Sequence, residues 1–179
     1  MNKNYYLWVK LMEYWDLYDK DKRKLNKIHL RGEEISNGEY HILVNIWIIN
    51  DKNQILLTQR HPDKYWPLTW ECPAGGIIAG EDSYTGALRE VEEEIGIKLK
   101  TKGELIDTIV RKNTIKDVYL FKENMNIEET KLEEGAVIDI KWVTKKEFDE
   151  MIKNGEITEP ILYDVDKLRK KLDIEENVI

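Results

Sequence analysis

Cysteine, phenylalanine, histidine and proline are scarce in this sequence: one, two, three and four copies in 179 residues. The lone Cys72 excludes an internal disulfide framework and a zinc site built from several cysteines. His29, His41 and His61 stand apart with no ligand spacing, which points to structural or surface roles. His41 alone is a pocket candidate, because it opens an apolar strand. Long hydrophobic runs are missing too: nothing approaches the roughly 18 apolar residues that a membrane-crossing helix needs. The opening MNKNYYLWVKLMEYWDLYDK has neither the apolar centre nor the small-residue cleavage site of a signal peptide, so a cytoplasmic address is expected. Positive charge is in the minority, with 28 Lys and Arg against 35 Asp and Glu and a net charge of −7. That balance argues against a nucleic-acid polymer or an anionic membrane as partner, since both demand basic surfaces. An acidic protein still binds an anionic small molecule where metal ions bridge the two.

What is present is a globular pattern, with 41% hydrophobic and 35% charged residues and no internal repeat. Residues 1–12, aromatic and basic, read as a peripheral extension and a candidate homodimer contact; residues 13–179 read as one domain. Strands are expected at residues 13–18, 41–49, 54–59, 104–110, 117–122 and 136–143. HILVNIWII, the second of these, is nearly continuous apolar and β-branched sequence. HPDKYWPLTW, with two prolines, reads as an irregular loop. Asp82 or Ser83 caps a helix with apolar face Ala87, Leu88, Val91 and Ile95, stopped at Gly96. Two further helices are expected at residues 145–153 and 160–172. Strands interleaved with helices imply a layered α/β domain.

The segment ECPAGGIIAGEDSYTGALREVEEEIGI, residues 71–97, crowds like charge onto one short helix. Glu90, Glu93 and Glu94 fall at i, i+3 and i+4 and share a face, an arrangement that destabilises an isolated helix by a few tenths of a kcal/mol per pair. Arg89 is the only cation within it. Two readings are open: a solvated acidic face, the usual meaning of a charge run, or a site for a hard divalent cation, which favours such oxygen clusters. Gly75 and Gly76 would let backbone approach the cluster, or a phosphate, without side-chain obstruction.

The full spacing separates these readings. Gly75, five residues, Glu81, seven residues, Arg89-Glu90-Val91, one residue, Glu93-Glu94, one residue, Gly96-Ile97 resembles the complete Nudix box, with no departure from it. The resemblance implies an α/β/α sandwich with a central mixed sheet. It also implies Mg²⁺- or Mn²⁺-dependent hydrolysis of a diphosphate linkage in a small nucleoside diphosphate-X or related substrate, by water attack on phosphorus. Under it, Glu90, Glu93 and Glu94 hold the metal, Arg89 orients the glutamates and Glu81 supports the loop or the metal. Gly75 and Gly96 are the turn glycines at the two ends of the helix. Glu93 is the first choice as general base, with Glu133 or Glu134 in KLEEGAV as alternatives. The flanks EYWDLYD, EYHILVNIWIIN and LLTQRHPDKYWPLTWE resemble the branch related to isopentenyl-diphosphate isomerase, which raises allylic proton transfer as a second activity. Those isomerases place a cysteine just before the box glycine and a glutamate downstream. Here Ala74 precedes Gly75, Cys72 lies two positions earlier, and the downstream acid is Asp117, so hydrolysis is favoured. Trp47, Tyr65, Trp66 and Trp70 are read as core or loop anchors before base-stacking residues. Arg60 and Lys64, in the same loop, are candidate phosphate contacts.

Overall fold

The computed structural model describes residues 13–176 of the chain. Its frame is a seven-stranded mixed sheet built around HILVNIWII, which forms β3, His41–Ile49. Six further strands join it: β4 (Ile55–Arg60), β5 (Trp70–Glu71), β6 (Ala74–Gly76), β7 (Glu104–Arg111), β8 (Thr114–Lys122) and β9 (Val137–Val143). The order runs β5-β4-β3-β8-β7, with β6 pairing to β3 and β9 to β4. β3 and β8 are parallel over their whole length, from His41 opposite Thr114 to Ile49 opposite Lys122. A strand buried on both faces has no polar side to alternate, which is why β3 reads as a continuous apolar run.

Helix α1, Ser83–Ile95, packs on one face through Ala87, Val91 and Ile95, against Ile42, Val44, Ile46 and Ile48 of β3. Helices α2, Lys145–Lys153, and α3, Val165–Glu176, cover the other face, burying Phe148, Met151, Val165, Leu168 and Leu172 against Trp47, Ile49 and Leu57. Trp47 meets Phe148 edge to face, ring centroids 5.7 Å apart. The three layers are the expected α/β/α arrangement.

Several elements differ from the sequence expectations. Residues 24–30 form β2, Lys24–Leu30, which pairs with β1, Tyr14–Tyr18, as a separate antiparallel hairpin. KLNKIHL is largely exposed, so no buried face imposed a readable period. The expected helix at 160–172 is two pieces, a 3₁₀ turn at Glu159–Ile161 and then α3. The break falls where Asp164 turns inward, fully buried, to accept from Asn45 and Lys116. β5 and β6 are too short to carry a pattern. The expected extension and dimer contact at residues 1–12 lie outside the described residues.

Candidate active site

Helix α1 is fixed in rotation and in length by its own sequence. Asp82 at the N-cap accepts from the Thr85 N–H at 2.8 Å. Gly96 ends the helix in the left-handed region, φ 71°, its N–H bonded to the Glu92 carbonyl. With Ala87, Val91 and Ile95 buried in the sheet, the glutamate face turns toward β6 and the loop that follows it. Glu90 lies directly against Gly75: a β-carbon there would sit 2.0–2.3 Å from the atoms of its carboxyl group. No other residue type fits without moving Glu90.

Arg89 gathers the remaining groups. Its Nε and Nη2 donate to the two oxygens of Glu81 at 3.0 Å each, its Nη1 to Glu90 at 2.8 Å and Glu93 at 3.2 Å. Nη2 also donates to the Gly76 carbonyl at 2.9 Å. One guanidinium thus ties the loop, Glu81 and two helix glutamates together. Burial works against its charge, but the hydrogen bonds and charges of Glu81 and Glu90 outweigh this and hold Arg89 above its ordinary value.

Glu94 is on the same helix face but outside this network, and receives a long contact from the Ala74 N–H at 3.4 Å. Burial pushes its carboxyl well above the usual range, reinforced by the charges of Glu71, Glu90 and Glu133. Burial also raises Glu90, to about 7, although Arg89 opposes the shift. These are carboxylates whose ionisation lacks enough compensating charge, the electrostatic condition that a divalent cation relieves. Among the described residues no three His, Cys, Asp or Glu side chains are arranged to hold a metal ion. Glu81, Glu90 and Glu93 converge on the guanidinium of Arg89 instead. Their hard oxygen donors fit Mg²⁺ or Mn²⁺ in kind.

Two acidic residues beside the site carried no sequence signal. Glu71, on β5, is 8% exposed, bonded to Arg60, and raised by burial. Glu13, just before β1, adds its charge to that felt by Glu90. Glu133 is brought to the helix end, where its N–H donates to the Glu94 carbonyl at 2.9 Å. Arg60 engages Glu71 and the Tyr65 carbonyl, and Lys64 adds positive charge near Glu71. Of the aromatics, Trp47 and Trp70 are core residues as expected; Tyr65 and Trp66 are not, at 85% and 45% exposed. The residues that the isomerase reading needs lie apart. Cys72 is wholly buried on the face covered by α2 and α3, its thiol pushed up by burial and by Asp164. The Asp117 carboxylate is held by Lys22 and Thr108.

A family model for the NUDIX domain matches residues 39–164. The chain belongs to the Nudix family. An uncharacterised Nudix hydrolase of Listeria monocytogenes is 32% identical over 148 residues, covering 81% of this chain and 88% of that protein. Nudix hydrolase 3 of Arabidopsis thaliana is 34% identical over 152 residues, 76% of this chain and 20% of its own length. DR0079 of Deinococcus radiodurans superposes with a TM-score of 0.71 at 17% identity over 86% of this chain and 96% of that one. The NUDIX domain of Shewanella oneidensis NrtR, complexed with ADP-ribose, gives 0.60 at 17% identity over 96% and 99%. At such identities the likeness of these two is one of fold. The Nudix hydrolases are pyrophosphohydrolases, and the relatives support that activity rather than an isomerase.

Proposed function

We propose that this Nudix hydrolase cleaves the diphosphate linkage of a small nucleoside diphosphate-X type substrate, with Mg²⁺ or Mn²⁺ held by Glu90, Glu93 and Glu94. The observation that carries the reading is the intact signature folded as one unit, with Arg89 binding Glu81, Glu90, Glu93 and the Gly76 carbonyl together. When bound, the metal lowers the pKa of a water, offsets phosphate charge and orients attack on phosphorus. The chain's own groups do the rest. Arg89 keeps the Glu90 and Glu93 carboxylates within one cluster, and Glu81 anchors Arg89 from the loop. Gly75 leaves Glu90 room beside β6. Gly76 presents its carbonyl to Arg89 and, lacking a side chain, leaves room for Trp15 against β6. Glu93 takes the proton of the attacking water; its side chain is 44% exposed, within reach of solvent. Glu133 is the second candidate, since its charge already reaches Glu94.

A panel of nucleotide sugars, dinucleotides, nucleoside triphosphates, ADP-ribose and isopentenyl diphosphate tests this, with phosphate or nucleotide release and isomer formation as readouts. Metal-dependent release is expected, with Glu93→Gln and Glu94→Gln each lowering kcat by roughly 10²-fold or more. Turnover and metal dependence unchanged in both variants would overturn the assignment. Allylic isomer formation abolished by Cys72→Ala would replace hydrolysis with isomerisation.

A further inference from the structure

The β1–β2 hairpin stands outside the seven-stranded sheet and outside the family signature, yet it lies on the loop that opens the signature. The Ala79 N–H donates to the Tyr14 carbonyl and the Gly80 N–H to the Asp16 carboxylate, both at 2.7 Å. Gly76 is also packed by the hairpin: a β-carbon there would lie 3.2 Å from Trp15 Nε1 and 3.5 Å from Glu13 Oε1. Glu90 packs against the neighbouring Gly75. Side chains of adjacent strand residues point to opposite faces, so the β6 strand carries the glutamate helix on one face and the hairpin on the other.

The chemistry of this hairpin is unlike that of the helix. Arg31 Nη1 donates to Glu13 Oε2 at 2.5 Å, while the Arg31 N–H donates to the Glu13 carbonyl at 2.8 Å. Glu13 also accepts from Trp15 Nε1 at 3.0 Å, which fixes the carboxylate from two sides. The Trp15 ring is stacked on His41, centroids 4.0 Å apart and planes 10° from parallel, and stacks more loosely on His29. The Arg31 side chain remains 46% exposed. His41 is 7% exposed, and its Nδ1 has no hydrogen-bond partner among the described residues. A buried polar atom without a partner costs about 1–3 kcal/mol, and the stacked Trp15 ring covers this one from solvent. An acidic protein therefore keeps a held, half-exposed arginine next to the backbone of the signature loop.

Resting on the hydrolase reading, we propose that this hairpin is a substrate-binding arm, in which Arg31 grips a phosphate of the diphosphate and Glu13 positions the guanidinium. A guanidinium binds phosphate through paired N–H donors, and Glu13 engages Arg31 through Nη1. The signature glutamates repel the same phosphates unless metal intervenes, and the free guanidinium N–H groups of Arg31 supply donors beside β6 that the glutamates do not.

Binding of methylenediphosphonate with Mg²⁺, measured by calorimetry, separates this role from hydrolysis, because that ligand is not cleaved. Arg31→Ala should weaken it at least tenfold, about 1.4 kcal/mol, with Arg31→Lys recovering part and Glu13→Gln falling between. Mn²⁺ affinity of Arg31→Ala should equal that of the parent protein. With any substrate turned over, the loss should sit in KM, with kcat within about threefold. Unchanged methylenediphosphonate affinity in Arg31→Ala would overturn the proposal, as would a parallel loss of Mn²⁺ affinity or no binding by the parent protein. Arg31-dependent binding without turnover of any diphosphate would uphold the arm and overturn hydrolysis.

Discussion

At Gly75 the missing side chain is what admits a carboxylate. Adding one methyl group places it 2.0 Å from the Glu90 carboxyl carbon, and Glu90 is pinned by Arg89, so Gly75→Ala must displace the glutamate. A drop in kcat of at least about tenfold is expected, while the urea midpoint, read by far-UV circular dichroism, falls only slightly. A second prediction concerns His41, whose pKa is lowered to about 4, first by burial and then by the charges of His29 and Arg31, with Glu13 opposing. The unfolded histidine titrates near about 6.5, so between that pH and about 4 the unfolded chain binds the extra proton. Stability contributed by neutral His41 is therefore complete above about pH 6.5 and is lost as pH falls toward about 4, by up to roughly 3 kcal/mol. His41→Gln should flatten that part of the pH–stability curve, measured by urea titrations at neutral pH and at two mildly acidic values. A slope identical to the parent's would show that other groups carry it.

The glutamate helix depends on both its ends. Asp82→Ala removes the side-chain acceptor for the Thr85 N–H and should cost about 1 kcal/mol. Gly96→Ala should cost more, because φ is 71° and the added carbon would lie 2.9 Å from Lys131 Cβ. Thermal unfolding of both variants gives the order; a larger loss for Asp82→Ala would contradict it. The same helix shows how much was readable along the chain. Its caps, its apolar face and the positions of Gly75, Glu81, Arg89, Glu90, Glu93 and Glu94 were all visible, because each rests on local spacing. The β1–β2 hairpin was only half visible. Tyr14–Tyr18 has two buried positions, Asp16 and Leu17, whereas KLNKIHL has none to set a period. Glu71 and Glu13 were invisible as site residues, since nothing in their neighbours along the chain says which strand brings them near Glu90 and Glu94.

Two apolar cores lie on the two faces of the sheet, and the glutamate cluster belongs to neither. Leu168, 0% exposed at the centre of the α3 contact, should lose about 2–5 kcal/mol on substitution by alanine. Below the unfolding transition Leu168→Ala should keep the kcat of the parent protein, because α3 packs on the face opposite the helix that carries Glu90. Removing divalent metal with a chelator should do the reverse, abolishing turnover with little change in the circular dichroism of the fold. The family and the layered fold were already written along the chain, because they follow from short-range spacing and from the pattern of burial. Folding in three dimensions added which carboxylates sit together, and that Arg89 closes on three of them. It also sealed Cys72 in the core under α2 and α3, and brought the hairpin, with Arg31 bound to Glu13, up to Gly76. The reason is physical: charges and close contacts act through space, and a mixed sheet joins strands that the chain holds far apart.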